Sequence, residues 1–225
     1  MKNICTDRIQ KITTRLRRLY PKPQTALLYR TPFQLLVAVI LSAQCTDKKV
    51  NEVTKPIFKK YRTARGFTKI PLGRLERMIR QTGFYRSKAK AVSMTARFVV
   101  ERFNNRVPLT IAELTTLRGV ARKTANVVIG ELTKAGEGIA VDTHVIRLSN
   151  RLELTKQTAP IKIEQDLMRI VPKKDWVEFP LFLINHGRTI CTAKKPKCDE
   201  CVLKNVCPSA FRFAHFRTRT SLSDL

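Results

Sequence analysis

At 225 residues, 43% of them hydrophobic, the chain is long enough for one large or two small domains with real cores, which excludes a globally disordered protein. Its 44 Lys+Arg against 17 Asp+Glu give a formal net charge of +27, spread over the whole length and not gathered in a detachable tail. Such a surface attracts polyanions, of which nucleic acid is the commonest for a folded domain and an anionic membrane surface the rival.

Helical signals recur along the chain and convincing period-two strands are missing, so the expected fold class is all-α. Residues 1–20 lack the apolar core of a secretory signal. They share an Arg-rich, acid-poor character with transit peptides, but Ile9, Ile12, Leu16 and Leu19 read equally well as the packed face of a helix. Thr31-Pro32-Phe33-Gln34 opens the next helix with a capping hydroxyl, a proline at the first helical position and a glutamine three residues after the cap. The run from Leu35 to Ala43 is apolar almost all round and marks a central, buried helix. Its most apolar stretch, Leu35 to Leu41, is far below the roughly 20 residues that a bilayer span needs.

Thr46 or Asp47 restarts the chain toward Tyr61, with Pro56 expected to break or re-initiate the segment. Helices are expected from Pro71 to Arg80, stopped by Gly83, and from Ser87 to Phe103. Thr110-Ile111-Ala112-Glu113 is a capping box opening a short helix to Leu117. After a tight connection, Arg118-Gly119-Val120-Ala121, a helix runs from about Arg122 to Leu132, and the two glycines of Lys134 to Gly138 mark the best place for a domain crossing. Helices at about Asp142–Leu152, Ile161–Val171 and Lys173–Cys191 complete the pattern.

Four cysteines follow, Cys191, Cys198, Cys201 and Cys207, separated by six, two and five residues. A zinc ribbon repeats the same tight C-x-x-C knuckle twice, whereas one C-x-x-C flanked by single cysteines at longer, unequal distances fits four thiolates around a cubane iron–sulfur cluster. Cys5 and Cys45 stand apart as ordinary thiols, consistent with a reducing compartment.

The segment Leu117 to Asn126 joins two helices through a glycine-containing turn. The backbone N–H groups at the start of the second helix lack intrahelical partners and sit at the positive end of the dipole, so they can grip a phosphate without reading a base. A plain helical connection packed into the core explains the same residues. Gly138 to His144 brings Asp142 to a helix N-terminus after an apolar approach, where an aspartate in isolation is a cap.

Taken in order and separation, five segments resemble the endonuclease III family of helix-hairpin-helix DNA glycosylases over roughly residues 5–208. They are Leu41-Ser42-Ala43-Gln44-Cys45-Thr46-Asp47, the hairpin with Lys123-Thr124-Ala125-Asn126, Val141-Asp142-Thr143-His144, His186-Gly187-Arg188 and the cysteine loop. The resemblance implies two helical domains with double-stranded DNA in the cleft between them. Residues 25–135 would form a helical barrel carrying the hairpin, and residues 1–24 plus 136–210 a domain holding a 4Fe–4S cluster, with 211–225 a basic, aromatic tail. It further implies a monomer acting on damaged bases or abasic sites, in a bacterial cytosol or an equivalent reducing, DNA-containing compartment.

By the same resemblance Lys123 matches the nucleophile of bifunctional glycosylases that excise oxidised pyrimidines, and Asp142 the carboxylate beside it. An amine attacks the anomeric carbon, expels the damaged base and leaves an imine that drives β-elimination on the 3′ side. A free lysine, with a pKa near 10.4, is neutral in only about one molecule in a thousand at physiological pH. A helix N-terminus disfavours the cation by only about 0.3–1 kcal/mol, so Asp142 is expected to act as proton acceptor and charge stabiliser.

Gln44 matches the position that fills the gap left by a rotated-out nucleotide, and Phe84, after Gly83, falls where the family commonly has an aliphatic wedge; core packing beside Tyr85 is the alternative for Phe84. Gly119, Ala121 and Arg122 are the hairpin's expected phosphate contacts. Lys194, Lys195 and Lys197, inside the first cysteine loop, serve as phosphate contacts or as counter-charge to an anionic cluster. His144 reads as a first-turn packing residue, and His186 and Arg188 as support for the cluster domain. The tail Phe211 to Arg217 mixes aromatic with basic residues and reads either as a DNA contact or as aromatics packed onto the domain. Arg118 and Ala121 stand where the family pattern often shows proline and glycine, which puts the closeness of the phosphate contact at Ala121 in doubt. Two competing readings are a monofunctional mismatch glycosylase, against which Lys123 argues, and a non-catalytic DNA-binding iron–sulfur protein, which gives no reason for Lys123 together with Asp142.

Overall fold

The computed structural model describes residues 2–216, with side chains from Asp7 onward; Cys5 and the tail from Arg217 lie outside the described side chains. The elements are all helical: α1 (Lys2–Leu19), α2 (Pro32–Leu41), α3 (Asp47–Lys60), α4 (Ala64–Thr68), α5 (Leu72–Met78), α6 (Tyr85–Arg102), α7 (Ile111–Leu114), α8 (Arg122–Thr133), α9 (Thr143–Arg151), α10 (Pro160–Ile170) and α11 (Glu178–Thr189). No strand occurs among the described residues, and none of their helices is long and apolar enough to cross a membrane. The chain divides into two compact units, Thr25–Glu137 and Met1–Gln24 with Gly138–Leu225.

The first unit is built round α2, in which every residue from Phe33 to Leu41 is buried. A helix apolar on all sides needs neighbours on all sides, and α3, α6 and α8 pack against it. Its start is set locally. Thr31 Oγ1 accepts from Gln34 N at 3.3 Å, Pro32 takes the first helical position, and Thr31 Oγ1 donates to Arg62 O at 2.6 Å. The fully buried Gln34 side chain accepts from Arg30 N and donates to Phe58 O and Tyr61 O, so a buried amide is satisfied while it ties the start of α2 to the end of α3.

Two sequence expectations fail in this unit, and one helix was not expected. Pro56 lies inside a continuous α3 and does not break it. Both Pro56 and Glu52, whose carbonyl loses its helical donor, are exposed, so the interruption falls on the solvent side of the helix. The helix opened by Thr110 ends at Leu114, short of Leu117, because successive tight turns carry the chain onward through Thr116 N to Glu113 O and Leu117 N to Leu114 O. The short α4, capped by Thr63 onto Gly66 N, falls in a stretch that periodicity is too short to reveal.

The second unit packs α1 against α10 and α11, and α9 against both. Ile9, Ile12 and Leu16 face its core together with Val145, Leu148, Phe179 and Phe182. Leu19, at the last turn of α1, is instead exposed. Arg17 closes that end through Asp175 at 2.7 Å and Glu178 at 3.0 Å. The helix expected from Lys173 to Cys191 is divided: a 3₁₀ turn, Lys173–Asp175, precedes α11, whose first turn contains Pro180, tolerated where no intrahelical N–H bond is lost.

Ile12, with none of its surface exposed, anchors α1 to this core. Ile12→Ala is expected to lower the unfolding free energy by about 2–5 kcal/mol, measured by chemical denaturation of the cluster-loaded protein.

Candidate active site and metal centre

The hairpin between α7 and α8 is held by its apolar residues and exposes its turn. Leu114, Leu117 and Val120 are buried, while Arg118, Gly119 and Ala121 face outward. Thr95 Oγ1 on α6 donates to Arg118 O at 3.0 Å and fixes the turn from below. Gly119 has φ +80°, and a Cβ there would stand 3.0 Å from Ala91 Cβ and 3.6 Å from Ile40 Cγ2, so the position requires glycine twice over. Ala121 precedes α8 with extended backbone (φ −85°, ψ 168°) and supplies no side-chain cap. Its geometry needs no glycine, and it leaves the first N–H groups of α8 unblocked by a capping side chain. Lys123 is the second residue of this helix and is half-buried, as is Arg122.

A surface cavity of about 470 Å³ in the same unit brings together Gln44, Phe84, Arg118 and Gly119, four residues scattered along the sequence. Gln44 (φ 52°) and Phe84 (φ 47°) both adopt the left-handed conformation, which costs a non-glycine residue roughly 1–2 kcal/mol. Phe84 is 68% exposed, so the core-packing alternative for it is wrong. Lys123, Ala121 and Arg122 do not line this cavity. Lys88 does, and the sequence reading passed it over although it interrupts the buried stripe Val92, Thr95 and Val99 of α6. It is only 5% exposed, and burial lowers its pKa. A second cavity of about 400 Å³, bordered by Tyr29, Gln34 and Phe58, contains none of the predicted site residues.

Asp142 belongs to the other unit, where it caps α9: Oδ1 accepts from His144 N at 2.8 Å and Val145 N at 2.9 Å. The buried Ile139, Ala140 and Val141 lead the chain to it. His144 turns its Nδ1 toward Arg147 Nη2 at 3.1 Å. Gly187 makes room for this cluster, since a Cβ there would come within 2.8 Å of His144 Nδ1 and 2.9 Å of Arg147 Nη2. The glycine of His186-Gly187-Arg188 is therefore a packing requirement between α9 and α11.

Cys191, Cys198, Cys201 and Cys207 are all free thiols and line one cavity. Burial, followed by weaker effects that include the neighbouring cysteines, pushes Cys201 up to about 11, and burial also raises Cys207. Four mutually close thiols of this kind hold their negative forms only around a cationic centre. The donors match that state: Arg151 Nη1 lies 3.2 Å from Cys191 Sγ, His186 Nε2 3.2 Å and Leu203 N 3.4 Å from Cys201 Sγ. His186 is almost fully buried, with its pKa lowered to about 4 by desolvation, and its Nδ1 is 3.3 Å from Tyr20 Oη. Among the described residues no three His, Cys, Asp or Glu side chains converge on one point as single-ion ligands.

Arg147 and Arg151 brace the loop from α9. Arg147 donates to Gly187 O and Cys191 O, and Arg151 to Thr192 O and Ala193 O. Their i, i+4 spacing was the only sequence signal of this role. The described part of the tail packs and does not trail: Phe213 lines the cluster cavity with its ring 4.5 Å from the Arg151 guanidinium, and His215 Nε2 is 3.1 Å from Pro196 O. Lys194 and Lys195 are exposed, and Lys197, also exposed, approaches Glu200 at 3.6 Å.

Residues 37–173 match the HhH-GPD superfamily base excision DNA repair proteins, and residues 191–207, which begin and end on two of the four cysteines, match the iron–sulfur binding domain of endonuclease III. Endonuclease III of Synechocystis sp. is 50% identical over 204 residues, covering 91% of this chain and 93% of the relative. The chain belongs to the endonuclease III family. It is also similar to the solved structure of a non-covalent endonuclease III–DNA complex (39% identity, TM-score 0.87, 95% of this chain and 98% of that one). A trapped endonuclease III–DNA covalent intermediate superimposes with TM-score 0.83 at 39% identity over 94% of this chain and 98% of that one. The expected all-α fold and the iron–sulfur cofactor, a 4Fe–4S cluster, hold for this family member.

The hairpin gives a direct test of its geometry. Gly119→Ala is expected to cost roughly 1–3 kcal/mol of stability, read from denaturant midpoints, and to weaken duplex DNA binding at fixed salt while the cluster absorbance is unchanged.

Proposed function

We propose that Lys123 is the nucleophile and Asp142 the proton acceptor of this base-excision repair glycosylase and apurinic/apyrimidinic lyase, acting on oxidised pyrimidines and abasic sites in duplex DNA. The observation that carries the reading is Lys123 itself, half-buried in the first turn of a helix that no side chain caps, directly after the Gly119 turn. The neutral amine of Lys123 attacks C1′ of the sugar and the C1′–N bond to the base breaks, its electron pair and a proton leaving with the base. The C1′–O4′ bond then breaks as the nitrogen lone pair forms a protonated imine to the opened sugar, and its electron pair goes to O4′ with the proton that Asp142 took from the nitrogen. Loss of a C2′ proton expels the 3′ phosphate and cuts the strand. Asp142 takes the proton from the ammonium and balances positive charge on the sugar.

Around this chemistry, Gly119, Ala121 and Arg122 present backbone N–H groups and charge to the DNA phosphates. Lys194, Lys195 and Lys197 add contacts from a loop anchored at both ends. Gln44 and Phe84 enter the stack when the target nucleotide rotates out, Phe84 as the wedge. Cys191, Cys198, Cys201 and Cys207 hold the 4Fe–4S cluster, which supplies a cross-link for a small domain; the lysine chemistry itself transfers no electron. A barrel domain of residues 25–135 carries the nucleophile, and a cluster domain of residues 1–24 with 136–210 carries Asp142. The protein works as a monomer on double-stranded DNA in a reducing, DNA-containing compartment.

Borohydride reduction during incubation with duplexes carrying thymine glycol, an abasic site or an A·G mispair tests the assignment. Wild type is expected to form a covalent adduct with the first two, and Lys123→Gln none. Base release without an adduct would point to a monofunctional enzyme, and binding alone to a non-catalytic protein. Asp142→Asn should keep the fold, because asparagine caps helices as well as aspartate, yet lose about 10²–10⁴-fold in single-turnover rate. Near-normal turnover in that variant would remove Asp142 from the chemistry.

A further inference from the structure

Lys88 is the one buried lysine or arginine among the described residues, and no step above uses it. It holds both sides of a single turn. Its backbone N–H donates to Phe84 O at 3.1 Å, and its Nζ donates to Thr82 O at 2.7 Å. Thr82 is itself pinned from behind, since its N and Oγ1 donate to Ile79 O at 2.9 and 2.8 Å. Ser87 Oγ adds a bond to Phe84 O at 2.9 Å. Between these anchors run two consecutive residues at positive φ, Gly83 (68°) and Phe84 (47°). The turn ends in an aromatic ring, 68% exposed, on the rim of the cavity shared with Gln44 and Gly119.

A methionine would fill the Lys88 channel without desolvating an ammonium. The lysine offsets that cost by satisfying the Thr82 carbonyl, which is buried at the point where the chain leaves its 3₁₀ turn. Strained backbone persists only where its surroundings over-determine it, and here one residue supplies a bond on each side of the strain, to Thr82 O and to Phe84 O.

We propose that Lys88 is a positioning residue for nucleotide extrusion: by gripping Thr82 O it fixes the Gly83–Phe84 turn and presents the Phe84 ring to the base stack before DNA arrives. The proposal rests on the wedge reading of Phe84. A side chain misplaced by an ångström can cost up to about 10²-fold, and the loss should fall only on substrates that must be unstacked.

The test compares strand cleavage at an abasic site in a duplex with cleavage at the same site in a single strand, using the cluster-loaded protein. Lys88→Met is expected to lose about tenfold on the duplex and little on the single strand, and to show a smaller rise in the fluorescence of a 2-aminopurine placed beside the site. In a Phe84→Ala background the same substitution should add no further duplex-specific loss. Equal losses on both substrates, or none, would overturn the proposal, as would a duplex-specific loss that adds in full to that of Phe84→Ala. Should Phe84→Ala be duplex-selective and Lys88→Met not, the wedge stands and the role of Lys88 falls. Should Phe84→Ala show no selectivity, the wedge reading fails and the proposal with it. Lys88→Gln, which keeps a polar head on a shorter stem, carries the test with the same outcomes if the methionine variant does not fold.

Discussion

A chain with a net charge of +27 can condense only if its cores keep nearly all of that charge at the surface. The helices of both units do so. The central helix α2 carries no charge at all, and α1, α3 and, Lys88 apart, α6 leave their described lysines and arginines exposed or partly exposed. The same separation that permits folding produces a cationic exterior, so affinity for a polyanion follows from how the cores are built. Where a cation does enter a core, at Lys88, it is bonded to a specific carbonyl. A buried carboxyl group is matched in the same way, Asp175 meeting Arg17 at 2.7 Å.

The cluster loop shows the complementary device. A segment this short, with few apolar side chains, cannot bury enough surface to order itself. Two arginines of α9 satisfy its carbonyls, and its four thiols gather round one cavity. The guanidinium of Arg151 faces a sulfur and loop carbonyls on one side and the Phe213 ring on the other, so the end of the described chain closes over the loop. Hydrogen bonds and the stacked guanidinium take the place of hydrophobic bulk there.

How much of this could be read from the sequence depended on the range of the interaction. Signals within four residues were legible: the caps at Thr31, Thr110 and Asp142 all form, and the helix starts they predicted fall within a residue or two. Pro56 misled because propensity describes an isolated helix, while α3 is fixed by a buried face that includes Val53 and Ile57 on both sides of the proline. Lys173–Cys191 read as one helix because its hydrophobic content is continuous, although the chain needs a 3₁₀ turn to bury Asp175 against Arg17. The convergence of Gln44, Phe84 and Gly119 on one cavity, and the positive φ of the first two, were invisible, since neither residue type announces a left-handed backbone. Lys88 and Arg151 were passed over for a related reason: in so basic a chain a single cation carries no signal until its partner is known.

The discontinuous unit has a consequence for biosynthesis. Its first helix, α1, is separated from α9, α10 and α11 by the whole of Thr25–Glu137. On a ribosome adding about 5–20 residues per second, α1 waits on the order of ten seconds for the partners that bury Ile9, Ile12 and Leu16. The continuous unit has no such delay and can close as soon as α8 emerges. The nascent chain therefore carries an unpaired amphipathic helix beside a finished neighbour. The arginines and lysines on the outer face of α1 keep that waiting segment dissolved until the last helices and the cysteine loop arrive.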